Sequence, residues 1–307
     1  MSVRTLSHAD RMALEELEAR LKTILPGEYQ DSYEGMEPVP MRSAGLKYGS
    51  DGKVAWNEIW GSFCDLAMAG GPPHKGSLLE PGRRGDIDRE PDQHAEVAEE
   101  ICRGVMMTTL LDTNVSPVAG WVRVSCLSEA MAGWLLRAIV MENVAARGEG
   151  MWLDLPAAPH FRLEKEIKNV VTVTAKTSHY WLEHMPRAQQ RGIASLFARL
   201  ARESPLVEPA LTHVGQEPAA TALSDAITRD TGRHASNSPY AGWLGVECSS
   251  VKSAIWMMRA LVAGNVLSRR EGTTLFVPVN PDSDPGGGRV ARALARAHRL
   301  AAARDIH

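Results

Sequence analysis

The chain has 307 residues, of which 44% are hydrophobic and 23% charged, and its formal net charge is −3. This much apolar material excludes a disordered chain, and the charge gives no overall basic field that favours nucleic acid or an anionic membrane. No apolar run reaches the roughly 18 residues that a membrane-spanning helix needs, and the N-terminus lacks the apolar core of a signal peptide. The four cysteines form no CxxC pair, which is typical of reduced thiols. The sequence therefore predicts a cytoplasmic protein without a membrane partner.

The first predicted element is an amphipathic helix over residues 7–25. Leu14, Leu17 and Leu21 recur at the spacing of one helical face. Ser7 stands where an N-cap is expected, and Pro26 stands where the helix has to end. The pattern predicts a helix that packs by one face.

An internal repeat with an offset of 122 residues dominates the rest of the chain. Residues 120–159 and 242–281 match without a gap at 18 of 40 positions, and residues 44–81 align with them as a degraded third copy. Each clear copy reads as a short strand, a largely apolar helix and a second strand that stops at a proline. The predicted fold class is therefore α/β: internally repeated βαβ units, two clear and one degraded, with additional connecting helices. We expect the copies to pack side by side in one sheet system.

The repeat divides the chain into four predicted regions that pack as one body. Residues 1–92 hold the N-terminal helix and the degraded copy, and residues 93–215 hold the second copy and a long helix with a polar stripe. Residues 216–284 hold the third copy. Residues 285–307 form a glycine-rich linker and an arginine-rich helix, which we expect to stand apart from the core.

The first candidate site is the loop over residues 70–76, where the degraded copy abandons the pattern of the other two. Glycines such as Gly71 let a backbone approach a ligand closely, while His74 and Lys75 offer a proton carrier and a cation. The alternative interpretation is a rigid turn that closes a degraded repeat, with a solvated histidine.

The second candidate site is the helix predicted over residues 163–185. At 100° per residue, one narrow arc of this helix collects a mostly cationic set of side chains: Lys165, Lys168, Thr172, Lys176, His179 and Glu183. This arc predicts the wall of an anion-binding cleft, with Lys168 and Lys176 holding negative charge and His179 moving a proton. The alternative interpretation is a solvated helix face with ordinary side-chain pairs.

Together these residues predict a cytosolic enzyme of small-molecule metabolism that acts on an anionic substrate by histidine and lysine acid–base and electrostatic catalysis. His74 and His179 would exchange protons, and Gly71, Lys75, Lys168 and Lys176 would bind the substrate. A non-catalytic ligand-binding or scaffold protein is the first alternative, and a metal-handling protein is the second. No metal ligands are predicted, because residues 179 and 184 lie about 140° apart on an α-helix. The sequence specifies no cofactor, does not favour nucleic acid and leaves a homo-oligomer open.

Overall fold

The computed structural model describes residues 7–27, 45–58, 76–211 and 216–306. The described residues form two compact units. One contains those of Pro38–Ala194 and is called the central unit; the other contains those of Met1–Glu37 and Ser195–His307 and is called the terminal unit. The mixed helix and strand content agrees with the predicted α/β class. In the part of the chain that the structure describes, no helix is both long and apolar enough to cross a membrane.

The central unit alternates helices with short strands. Its elements are α2 (Arg84–Arg89), α3 (Pro91–Thr109), β1 (Thr113–Val115), β2 (Trp121–Ser125), α4 (Glu129–Met141), β3 (Arg147–Glu149), β4 (Trp152–Pro156) and α5 (Lys168–His179). The terminal unit begins with α1 (His8–Ile24) and continues with α7 (Glu217–Thr231), β5 (Ala235–Asn237), β6 (Trp243–Glu247), α8 (Val251–Ala263), β7 (Arg269–Glu271), β8 (Thr274–Pro278) and α9 (Gly288–Ala303). Helix α6 (Arg187–Glu203) carries the boundary between the units.

Each unit builds its own four-stranded sheet, in the orders β1-β2-β4-β3 and β5-β6-β8-β7, with all neighbours antiparallel. This differs from the single sheet system that we expected from βαβ units. The crossover through α4 leads from β2 to the parallel strand β3, which the sequence pattern did not identify. A turn at Gly150, whose φ is +58°, then reverses the chain and inserts β4 between them.

The core of the central unit lies between one face of its sheet and its helices. Alternate strand residues are fully buried there, among them Val122, Val124, Leu153 and Leu155. Helix α4 is apolar nearly all round and starts at Ser128, whose side chain accepts a hydrogen bond from the Met131 amide. Helix α5 packs on α3 and on the buried α4.

The elements of the terminal unit lie 122 residues after those of the central unit, from β1 and β5 to β4 and β8. Special backbone positions follow the same spacing: Asn143 and Asn265 both adopt a left-handed conformation, with φ of +61° and +65°. Each asparagine amide also donates to a backbone carbonyl of an incoming segment, at Gly76 or Ser204. Of the predicted third copy, residues 59–75 lie outside the described residues.

The arginine-rich helix α9 does not stand apart, and that expectation is wrong. It packs on α7 and α8 through a continuous apolar face made of Val290, Ala291, Leu294, Ala295, Ala297, Leu300 and Ala301. The carboxylate of Asp284 accepts hydrogen bonds from the amides of Arg289 and Val290 at its start. The linker is therefore a capping segment, and the arginines occupy the outer face of a core helix.

Candidate functional site

The predicted helix over residues 163–185 exists but changes its winding at both ends. Its α-helical middle, α5, lies between two π-helical turns, Leu163–Ile167 and Tyr180–His184. In the second turn the Met185 amide donates to the Tyr180 carbonyl at 3.0 Å, five residues back. The helix ends there, before Pro186. Because a π-turn places residues five apart above one another, it changes which side chains meet.

Burial decides between the two interpretations of the polar stripe. Lys168, Thr172 and Lys176 are all buried, so this part of the helix is not a solvated face. Gly104 on α3 helps to bring α3 and α5 together, since an added Cβ would stand 2.6 Å from a methyl of Val171. The cationic side chains therefore enter the interior of the unit.

Lys176 forms a buried ion pair with Glu142, at the end of α4. Its Nζ donates to the Glu142 Oε1 at 2.6 Å, and the side chains are 4% and 5% exposed. Burial lowers the pKa of Lys176, while the charge of Glu142 and its hydrogen bond act in the opposite direction. The pair therefore places a lysine with a lowered pKa inside the unit, balanced by one carboxylate.

One turn after Lys176, two histidines meet across the second π-turn. The Nε2 atoms of His179 and His184 are 3.0 Å apart, and the Nδ1 of His179 lies 3.1 Å from a carboxylate oxygen of Glu183. The contact between the two Nε2 atoms orients the rings toward each other, and the carboxylate of Glu183 lies beside the other nitrogen of His179. The arrangement is a carboxylate–imidazole–imidazole chain.

The structure brings only some of the predicted site residues together. Lys176 and His179 are three residues apart and neighbours on the helix. Lys168 is eleven residues before His179, about 16 Å along the helix axis, so only an extended ligand would contact both. Burial lowers the pKa of Lys168, opposed by the charge of Glu164. Gly71, His74 and Lys75 lie outside the described residues.

Two residues of the cluster escaped the sequence analysis. Glu142 carries no local signal, because its contact with Lys176 spans two helices. His184 was set aside because 100° per residue separates it from His179, whereas the π-turn removes that separation. Only a test of the π-helical period would have found the pair.

The described cysteines do not provide a nucleophile. Burial raises the pKa of the Cys126 thiol to about 12 and those of Cys102 and Cys248 to about 11, so all three stay protonated at neutral pH. Within the described ranges, no three His, Cys, Asp or Glu side chains come together as a metal site.

Comparisons of the chain with protein-family models, curated proteins and solved structures gave no match. The cluster of Glu142, Lys176, His179, Glu183 and His184 is therefore interpreted from its own chemistry.

Proposed function

We propose that the protein is an enzyme of small-molecule metabolism that acts on an anionic substrate, with the His179–His184 pair as its acid–base centre. The observation that carries the proposal is the 3.0 Å contact between the two Nε2 atoms. Two imidazole nitrogens at this distance can form a hydrogen bond, and imidazole is the side chain that most often serves as a general acid or base. Such a pair can give a proton to a substrate or take one from it.

The carboxylate beside the histidine pair marks a place that an anionic group of a substrate would take. Glu183 presents a carboxylate to the Nδ1 of His179, yet its side chain is 67% exposed. A carboxylate or phosphate of a substrate would replace that side chain at little cost, because an exposed ion pair contributes only about 0–1 kcal/mol. Lys176, paired with Glu142, would act as a positioning residue that holds the helix of the histidine pair against α4. Gly71, His74 and Lys75 remain proposed binding and proton-transfer residues, and Lys168 remains a proposed substrate-binding residue.

The proposal includes the origin and location of the protein. We infer that the two units derive from one duplicated βαβ-containing unit, which their common spacing of 122 residues supports. A cytoplasmic location is in keeping with the free thiols of Cys102, Cys126 and Cys248.

The experiment is a titration of the purified protein with inorganic phosphate, sulfate and citrate, followed by NMR of the imidazole resonances. We expect at least one anion to shift the signals of His179 and His184 with a saturating curve. His184→Asn should weaken this binding at least tenfold, and His160→Asn, a histidine of the same unit outside the cluster, serves as the matched control.

A screen of small organic phosphates and carboxylates for conversion, followed by NMR, separates the enzyme from its first alternative. Turnover that His179→Asn abolishes is the expected result. Binding without turnover would favour a ligand-binding protein, and saturating shifts confined to other histidines would overturn the assignment of the site. Binding of Zn²⁺ at unit stoichiometry that both variants abolish would favour the metal-handling alternative.

A further inference from the structure

The central unit exposes large apolar side chains at one end of its sheet, which we call the apolar row. Leu110 is 89% exposed, Leu127 67%, Met151 49% and Trp152 42%. Scattered single residues of this kind are normal on a protein surface, but a contiguous group marks an interaction site. All four residues belong to or flank the strands β1, β2 and β4.

Backbone pairing places all four residues at the same end of the sheet. The Ser125 amide donates to the carbonyl of Asp112 at 2.8 Å, and the Cys126 amide donates to the carbonyl of Met151 at 2.9 Å. Trp152 pairs with Ser125 in the β2–β4 register, and Leu127 and Leu110 lie two residues from Ser125 and Asp112 in the chain. Since neighbouring strands lie about 4.8 Å apart, the row crosses three adjacent chain segments at the same end of the sheet.

The terminal unit lacks this row although it has the same elements at the same spacing. At the positions 122 residues later stand Gly232, Ser249, Thr273 and Thr274. The fold therefore forms without apolar side chains at these places. Their presence in the central unit is an added property of its surface.

The border of the row is acidic. Asp112 and Glu129 are exposed beside it, whereas the terminal unit has His234 and Val251 at the corresponding positions. Glu149 pairs in register with Trp152 and adds a third carboxylate. On the other side, Arg123 and Arg147 both pair with Asp154, at 2.7 and 3.1 Å. These three residues carry one net positive charge, whereas the three carboxylates at the border carry three negative charges.

We propose that the apolar row is the docking site for an amphipathic helix of a partner protein, with large apolar residues on one face and Lys or Arg beside them. A helix presents apolar anchors at positions i, i+3, i+4 and i+7, and Trp152 has the character of an interface hot spot. Basic flanks complement the carboxylates at the border. A second copy of this chain fits less well, because a two-fold axis through the row would set acidic borders against each other.

The test uses two synthetic peptides of 15 residues with leucine on one helical face. One carries lysine on the other face, and its counterpart carries glutamate. Binding is measured by fluorescence anisotropy at two salt concentrations. The double variant Leu127→Ser with Trp152→Thr copies the residues of the terminal unit at exposed sites, so we expect it to fold with an unchanged melting temperature. Leu211→Ser, 56% exposed and outside the row, is the matched control.

We expect the lysine peptide to bind the wild-type protein and the control variant at least tenfold more tightly than the double variant, with affinity that falls as salt rises. Equal binding of the glutamate peptide, or equal binding to the double variant, would overturn the proposal. So would a doubled mass in light scattering that only the double variant loses, which would assign the row to a second copy. Association with phosphatidylcholine vesicles that the same variant abolishes would assign it to a membrane surface.

Discussion

The buried ion pair between Lys176 and Glu142 joins α5 to the end of α4. Removing one partner of a buried ion pair leaves a buried charge without its counterion, while replacing both by apolar residues removes the problem. We therefore expect Lys176→Met and Glu142→Leu to cost about 3–5 kcal/mol each in the free energy of unfolding. The double variant should lie close to wild type, as measured by urea denaturation.

The exposed pair Arg84–Asp88, at 2.9 Å, serves as the matched control. Asp88→Asn should change the free energy of unfolding by less than about 1 kcal/mol. Additive losses in the Lys176 and Glu142 variants would contradict the buried pair, since residues in contact are expected to couple.

At the scale of single elements, Glu166 holds the first π-turn of the site helix. Its carboxylate accepts hydrogen bonds from the backbone amide of Arg162, at 3.0 Å, and from the guanidinium of the same residue. Burial alone raises the pKa of Glu166, but these hydrogen bonds and the charge of Arg162 outweigh it and lower the pKa to about 2.

This lowered pKa predicts a defined pH dependence. The folded state holds Glu166 ionised more readily than the unfolded state, so its stabilisation is fully present above the unfolded pKa of about 4.3. It is lost as pH falls from there toward about 2. The difference in unfolding free energy between wild type and Glu166→Gln should therefore be constant near neutral pH and shrink below pH 4. A difference that does not change with pH would contradict the prediction.

The sequence predicted the elements in which apolar residues recur at a regular helical or strand spacing. It did not predict the very short strands or the π-helical turn, where that spacing is too brief or differs from the α-helical one. Helices α1 and α4 follow from apolar spacing and serine caps. The strands β1 and β3 have three residues each, too few for alternation to be recognised. The histidine pair was missed because an α-helical period was applied to a π-turn, and Glu142 because its partner is remote in sequence. Lys176 and His179 were identified because a polar stripe on a helix is visible in the sequence alone.

At the scale of the whole molecule, α1 packs against elements that come more than 200 residues later in the chain. In the terminal unit α1 packs on α8 through its buried face of Leu17, Leu21 and Ile24. Ion pairs join Glu16 to Arg296 and Glu18 to Arg304 on α9. The terminal unit is thus assembled from both ends of the described chain.

This assembly predicts where a mutation in α1 acts. Leu21→Ala should cost about 2–5 kcal/mol, since it empties a site only 2% exposed. In hydrogen exchange the loss of protection should appear in α8 and α9 and spare β1–β4. Met12→Ala, at a position on the same helix that is 54% exposed, should leave protection unchanged. Equal loss in both units after Leu21→Ala would mean that the units open together.

The return of α1 has a consequence for the order of synthesis. The ribosome completes α1 at Ile24 long before it reaches α8 at Val251. At about 5–20 residues per second the delay is on the order of 10–50 s, during which the leucine face of α1 lacks its final binding surface. In the growing chain the central unit can fold first. Until α8 is synthesised, the apolar face of α1 stays uncovered, and chaperones can bind it. Moving α1 to the C-terminal end by circular permutation would remove that wait.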